Sequence, residues 1–317
     1  MRHGCVNAVD QSHTLLDRIL RVLREYQMQV VTVEQLVPID GIQLTIHYGK
    51  IHMRRRAILN ESFRGVMDNI IDHLRLNIDE AKAGEVEGIH QLRVGIRRAR
   101  AALRMYEPLL PPNKVKRFDK RLRHFGHVFG DARDWDVFLL ETVEDTWPEA
   151  ATIRNRALAQ QARHHQDVSA TLRQPHFSNL LDRLSEWSHA VRLPDEKIGK
   201  VAPHLLDRML RQVRRRDRKA HDTDVKSLHR LRRSIKRLRY AVEFTGQMYS
   251  KKRVKRYTKL LKLAQDRLGA VNDATVTEGL LLKINMLEPV RDTLAAHQTA
   301  VRRDSYDLSG LKPKRFW

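Results

Sequence analysis

Cysteine is almost absent: Cys5 is the only one in 317 residues. No intramolecular disulfide and no cysteine-built zinc site can form, which fits a reducing compartment. Glycine and proline are also scarce, at 14 and 10 residues, so the chain favours long regular elements over turn-rich ones. Aromatic residues make up only 6%, which leaves little for the base-stacking platforms of single-strand RNA and DNA binders. No run of eighteen apolar residues exists to span a bilayer, and Met1-Arg2-His3-Gly4-Cys5 lacks the apolar core of a secretory signal. The expectation is a soluble, cytoplasmic protein with no membrane partner.

Positive charge is what the chain has in excess, with 60 Lys and Arg against 38 Asp and Glu and a net charge of +22. A hydrophobic fraction of 41% is enough for a sizeable core, so this is no disordered polycation. Such a charge repels itself until an anion neutralises it. Nucleic acid, an anionic membrane surface and polyphosphate all meet that need at this level.

From about residue 57 onward, apolar residues recur every three or four positions, broken at Pro108, Pro111-Pro112, Pro148, Pro175, Pro194 and Pro289. The predicted class is all-α. Residues 28 to 50 differ, because Val30, Val31, Val33, Ile42, Leu44 and Ile46 around Pro38 and Gly41 allow a short hairpin or an extended arm.

The chain also repeats itself. His90-Gln-Leu92-Arg93-Val-Gly-Ile96-Arg97-Arg98-Ala-Arg100 matches His229-Arg-Leu231-Arg232-Arg-Ser-Ile235-Lys236-Arg237-Leu-Arg239, 139 residues later. The register continues without a gap: Val115, Phe118, Leu122, Phe129, Gly130 and Asp134 fall on Val254, Tyr257, Leu261, Leu268, Gly269 and Asp273. Each repeat therefore reads as a first helix (57 to 82, 196 to 221), a signature helix (86 to 110, 225 to 249), a third helix (113 to 129, 252 to 268) and a fourth after Gly130 or Gly269. That predicts two four-helix bundles, 57–193 and 194–305, behind an extension at 1–56 and ahead of a basic tail at 306–317. The first bundle carries an extra segment at about 176 to 192. Asp134 and Asp273 follow what read as helix-ending glycines and are expected to be N-caps.

On the signature helix, Leu92, Ile96, Ala99 and Leu103, like Leu231, Ile235, Leu238 and Val242, form the core stripe. His90, Arg93, Arg97, Arg100 and Arg104 recur three and four apart and lie beside it, at about 100° per residue. The second copy has His229, Arg232, Lys236 and Arg239, with Glu243 in the last place. The third helix repeats the plan with Lys116, Lys120 and Arg123, and with Lys255, Lys259 and Lys262. Arg98 and Arg237 fall outside both stripes and read as solvated.

Residues 90–123 and 229–262 contribute +9 and +12 of the net +22, leaving the other 249 residues nearly neutral. An ordinary solvated surface would spread that excess and interleave it with acids four residues away. Arginine offers a planar fork for phosphate oxygens and lysine a compact charge, so the stripes suit a flexible chain of closely spaced phosphates. His90 and His229 each sit one turn before an Arg of the stripe, where surrounding cations disfavour protonation until an anion arrives. Affinity should therefore rise as pH falls toward about 6, and replacing both histidines by Gln should flatten that profile.

These signature helices resemble those of the CHAD family, named for its histidines in an α-helical domain. The second copy matches the family pattern from His229 to Tyr240, and Gly130 to Val137 resembles its Gly-x-x-Arg-Asp-x-Asp-Val stretch, of which Gly269 to Asp273 keeps part. The resemblance spans about residues 57 to 304. It implies two bundles in approximate two-fold symmetry around a basic central groove or pore that binds inorganic polyphosphate, at cytoplasmic polyphosphate granules. Carried over by position, the implied contacts are His90, Arg93, Arg97 and Arg100 with His229, Arg232, Lys236 and Arg239. Some relatives carry a fused triphosphate tunnel domain marked by Glu-x-Glu-x-Lys, a motif this chain lacks.

Two other readings compete. A nucleic-acid backbone would also satisfy a phosphate-reading groove. Phosphoryl chemistry would need carboxylates or histidines around a cation, yet the stripes are nearly free of acids, and His124/His127, Asp72-His73 and His221-Asp222 lack a third ligand. The expectation is a binding protein with no cofactor, no metal and no catalytic residue.

Overall fold

The computed structural model describes residues 49, 51, 53–220, 225–295 and 315–317. The possible hairpin at 28–50, most of the 1–56 extension and most of the tail lie outside them.

Nine α-helices carry the described chain: α1 (Leu59–Leu76), α2 (Ile78–Lys82), α3 (Val86–Tyr106), α4 (Pro112–Val137), α5 (Ala150–Arg173), α6 (His176–Ala190), α7 (Ile198–Ala220), α8 (Val225–Thr245) and α9 (Lys251–Lys283). The protein is all-α. The prolines act as expected: Pro108 and Pro289 sit in single 3-10 turns, Pro112 opens α4, and Pro175 precedes α6. In the first repeat, the predicted first helix is broken at Asn77 into α1 and α2. The extra segment at 176 to 192 is α6, which packs on α1.

The fourth helices do not start after Gly130 and Gly269. Both glycines lie inside single helices, α4 and α9, that continue to Val137 and Lys283. Asp134, in the last turn of α4, and Asp273, in the interior of α9, are consequently helical residues, not N-caps. A glycine followed by polar residues looks like a helix end in sequence, but here the cost of glycine in a helix, about 1 kcal/mol, is outweighed by packing on both sides of it. Phe129, Ala132 and Trp135 are buried around Gly130, and Leu268 and Ala274 around Gly269. The first repeat then adds α5 as its fourth helix. The second has three long helices among the described residues.

One apolar core runs through both repeats, from Met53 through Leu92, Ile96 and Leu103 to Leu231, Ile235, Leu238 and Leu268. The apolar stripes thus occupy the interior, where each large side chain contributes about 1.5–3 kcal/mol of burial. Aromatic pairs lock α6 against α1 and α4: Phe63 with Trp187 and Phe125 with Phe177, ring centres 5.8 and 4.8 Å apart. A second cluster joins the ends of α4 and α9 to α5 through Trp135, Phe138, Ile153, Leu281 and Ile284.

The two repeats also meet at their starts. Ile58 and Lys197, equivalent positions 139 apart, form an isolated antiparallel bridge. Leu59 N–H donates to Glu196 O at 2.8 Å, and Ile198 N–H to Ala57 O at 2.9 Å, so equivalent segments exchange equivalent bonds. The second meeting point matters more for function. The signature helices α3 and α8 pack directly on each other.

Candidate functional site

Packing α3 on α8 brings basic stripes that are 139 residues apart in sequence into one cluster. Arg97 lies beside the Tyr240 hydroxyl of the other repeat and close to Arg93 and Arg239. Lys236 lies among Arg232, Arg97 and Arg93. The Arg239 guanidinium covers the Tyr240 ring, 4.8 Å from its centre. His90, Arg93, Arg97, Arg100, His229, Arg232, Lys236 and Arg239 are all partly buried, as residues at the edge of a core should be.

Burial and crowding change the chemistry of these groups. Burial first, then Arg232, Arg97 and Arg93, push the Lys236 ammonium down to about 7, against a weaker pull from Asp273. Among the described residues no carboxylate lies within ion-pair distance of it. The Arg97 and Arg232 guanidiniums are likewise held below their usual range, chiefly by burial. His90 is pushed below the ordinary imidazole range by burial; Glu87 opposes this, while Arg133, Arg97 and Arg93 reinforce it. His229 shifts the same way by burial, opposed by its 2.5 Å contact with Asn272 and reinforced by Arg233, Arg232 and Lys236. Both histidines are therefore neutral near pH 7, and His90 Nδ1 is buried without a partner.

Carboxylates reach the stripes from the third helices. Arg93 donates to Asp134 at 2.7 Å and to the Gly130 carbonyl at 3.1 Å. In the second repeat, Arg232 lies 3.9 Å from Asp273 and bonds the Gln265 carbonyl at 3.5 Å. An arginine crosses the helix at both Gly130 and Gly269, but only Gly269 is required by it: a Cβ there would come within 3.1 Å of the Arg232 guanidinium, whereas one at Gly130 would meet Arg93 at an ordinary 4.0 Å. Asp119 accepts from Arg100 and from Arg123, both at 2.8 Å. Burial raises its carboxyl, but those two arginines outweigh burial and hold it below the usual carboxylate range. Arg104 is engaged by Glu107 at 2.5 Å.

Lys116, Lys120, Lys255, Lys259 and Lys262 stand exposed, as does Arg123. At about 100° per residue they share a helix face with Asp119 and Asp134, or with Gly269 and Asp273, but they are not drawn into the buried cluster. Among the described residues, only Arg123 of these is tied to the stripe, through Asp119.

Two arginines were misplaced by the periodicity. Arg98 is 1% exposed, donates to Asn69 at 3.1 Å and lies over the Phe244 ring. Arg237 is also largely withdrawn from solvent, and burial first, then Arg100, Arg104, Arg216 and Arg233, bring it down to about 10. Both lie on the side of their helix that meets the other signature helix, a partner invisible to single-helix periodicity. Arg233 and Arg216 join them, and no spacing rule within one helix would have selected Arg216.

Among the described residues, no group of three or more His, Cys, Asp or Glu is placed to hold a metal ion. No described helix is long and apolar enough to cross a membrane. The arrangement is suited to holding phosphate oxygens by charge-assisted hydrogen bonds.

Comparison with curated proteins finds no relative of this chain. Among solved structures, the chain is similar to the crystal structure of the CHAD domain from the plant Ricinus communis: 24% identity, 86% of this chain and 97% of that one covered, TM-score 0.74. It is also similar to PptA from Streptomyces chartreusis, at 14% identity, covering 81% and 100%, with a TM-score of 0.57. Both likenesses are in fold. The CHAD domain family model matches residues 65–282, a span that contains both signature helices and every stripe residue described above, and the chain therefore belongs to the CHAD domain family.

Proposed function

We propose that this protein binds inorganic polyphosphate at the α3–α8 crossing and does not process it. One observation carries the reading: Arg93, Arg97, Arg232 and Lys236 are gathered under partial burial with too few carboxylates, so that Lys236 is held near neutrality. Crowded, half-buried cations are costly unless an anion pairs with them. A chain with one charge per phosphate and no bases can meet several closely spaced cations of both helices at once. The CHAD resemblance supports polyphosphate as that anion and implies residence at cytoplasmic polyphosphate granules. The near two-fold exchange of bonds at Ile58 and Lys197 supports two related bundles on either side of the crossing.

The test is a competition titration of polyphosphate against RNA and DNA at equal phosphate concentration and two salt concentrations. Polyphosphate should win at both, and Arg97→Glu combined with Lys236→Glu should abolish the preference. RNA or DNA outcompeting polyphosphate would overturn the reading in favour of a nucleic-acid module. Incubation with polyphosphate and Mg²⁺ should release no phosphate; steady release would make the protein an enzyme.

A further inference from the structure

The basic cluster does not end at the crossing, and it does not continue equally on both sides. Beyond Arg100 and Arg104, the packing of α8 on both α3 and α7 brings Arg233 and Arg237 on α8 and Arg216 on α7 into one another's electrostatic reach. Arg233 lies in the field of Arg100 and Arg123, Arg237 in that of Arg100, Arg104, Arg216 and Arg233, and Arg216 in that of Arg233 and Arg104. Carboxylates satisfy only one edge of this group: Asp119 holds Arg100 and Arg123, and Glu107 holds Arg104 and, at 3.2 Å, Arg208. Among the described residues no carboxylate pairs with Arg216, Arg233 or Arg237. Arg216 donates instead to the Arg230 carbonyl at 3.0 Å.

The internal repeat provides a control within the same chain. The residues 139 positions before Arg216, Arg233 and Arg237 are Asn77, Val94 and Arg98. Asn77 is buried and donates to the His73 carbonyl, Val94 is apolar, and Arg98 is turned inward onto Asn69. The residue 139 positions after Arg104 is Glu243, a reversal of charge. Three of the five basic positions on the side facing α7, those of Arg104, Arg216 and Arg233, are thus acidic or uncharged on the equivalent side, and the two arginines kept there, Arg98 and Arg239, are turned onto Asn69 and the Tyr240 ring.

We infer that a polyphosphate chain held at the crossing leaves it in one direction only, along an arm made by Arg100, Arg104, Arg216, Arg233 and Arg237. The inference rests on the polyphosphate reading and adds two properties: the site is polar despite the repeat, and it rewards polymer length. A short oligophosphate fills the crossing alone, while a long chain also neutralises the arm. The physical cause is the same as at Lys236. Guanidiniums packed together and partly desolvated gain most from an anion that touches several at once.

The experiment compares tripolyphosphate with long-chain polyphosphate on the full chain, using Arg216→Gln combined with Arg233→Gln. Both side chains reach solvent, so the fold is spared. Exposed Arg163 and Arg183, changed together to Gln, serve as the charge-matched control. The arm variant should lose about tenfold in affinity for the long chain and less than about twofold for tripolyphosphate, with the control within about twofold on both. Equal losses for the two lengths, or a loss no larger than the control's, would overturn the arm. Wild-type protein that binds neither ligand would overturn the polyphosphate reading itself, whereas wild type that binds both while the variant keeps its length preference would overturn the arm alone.

Discussion

The Lys236 ammonium sits among three guanidiniums, and its depressed value of about 7 makes it the residue through which pH acts first. An anion favours the protonated amine, so binding takes up a proton, and affinity should climb as pH falls from about 8 to about 6.5. Lys236→Arg keeps the charge at every pH and should remove that climb in a titration calorimetry series. His90 and His229, both shifted downward, should act only at lower pH, where His→Gln changes should flatten the remaining rise. The same shift predicts a stability effect of opposite sense. The folded value lies below the unfolded one, so between about 7 and 10.5 the unfolded chain holds more protons, and the contribution of Lys236 to stability improves as pH rises through that window. Lys236→Met should thus raise the anion-free stability at pH 6 by about 3 kcal/mol in denaturant unfolding, while weakening polyphosphate binding. A purely structural lysine would not separate the two readouts.

At the scale of elements, α4 and α9 show how one residue pair can serve a helix and a site at once. A methyl group added at Gly130 would meet Arg93 only at an ordinary contact distance, 4.0 Å, whereas one added at Gly269 would lie 3.1 Å from Arg232. Gly130→Ala should therefore gain about 0.5–1 kcal/mol of stability from helix propensity and leave binding within about twofold. Gly269→Ala should gain similar helix propensity but displace the Arg232 guanidinium and lower polyphosphate affinity several-fold. Comparing melting temperature with affinity for the two variants separates the effects; identical behaviour would mean that the Arg232 position does not matter to binding. Asp134 and Asp273 were expected to be caps because a local rule fits them. Their partners, Arg93 and Arg232, are 41 residues away in sequence, and only the packing of α3 on α4 and α8 on α9 shows that they orient site arginines.

For the whole molecule, a charge of +22 concentrated in two segments should leave the anion-free protein under electrostatic strain. Moderate salt, which screens these charges over about 8 Å at 0.15 M, should raise its melting temperature while weakening polyphosphate binding. Polyphosphate itself should raise the melting temperature with a logarithmic dependence on concentration, since a site assembled by helix packing exists only in the folded form. Differential scanning calorimetry across salt and polyphosphate concentrations checks both trends, and a melting temperature indifferent to polyphosphate would contradict a built site.

By itself the sequence determined the all-α class, the repeat offset of 139, the apolar stripes and the alignment of the eight signature-helix cations and histidines beside them, because each follows from spacing along a helix or from matching one segment to another. Helix periodicity is a local property, and burial of Leu92, Ile96, Leu231 and Ile235 obeys it. Only the tertiary structure decided which stripes meet. It joined α3 to α8, turned Arg98 inward, placed Arg237 beside Arg100 and Arg104, and added Arg216 from a helix without a motif. Electrostatic fields add across space regardless of chain separation, so the unequal arms of the site exist only once the two repeats are packed together.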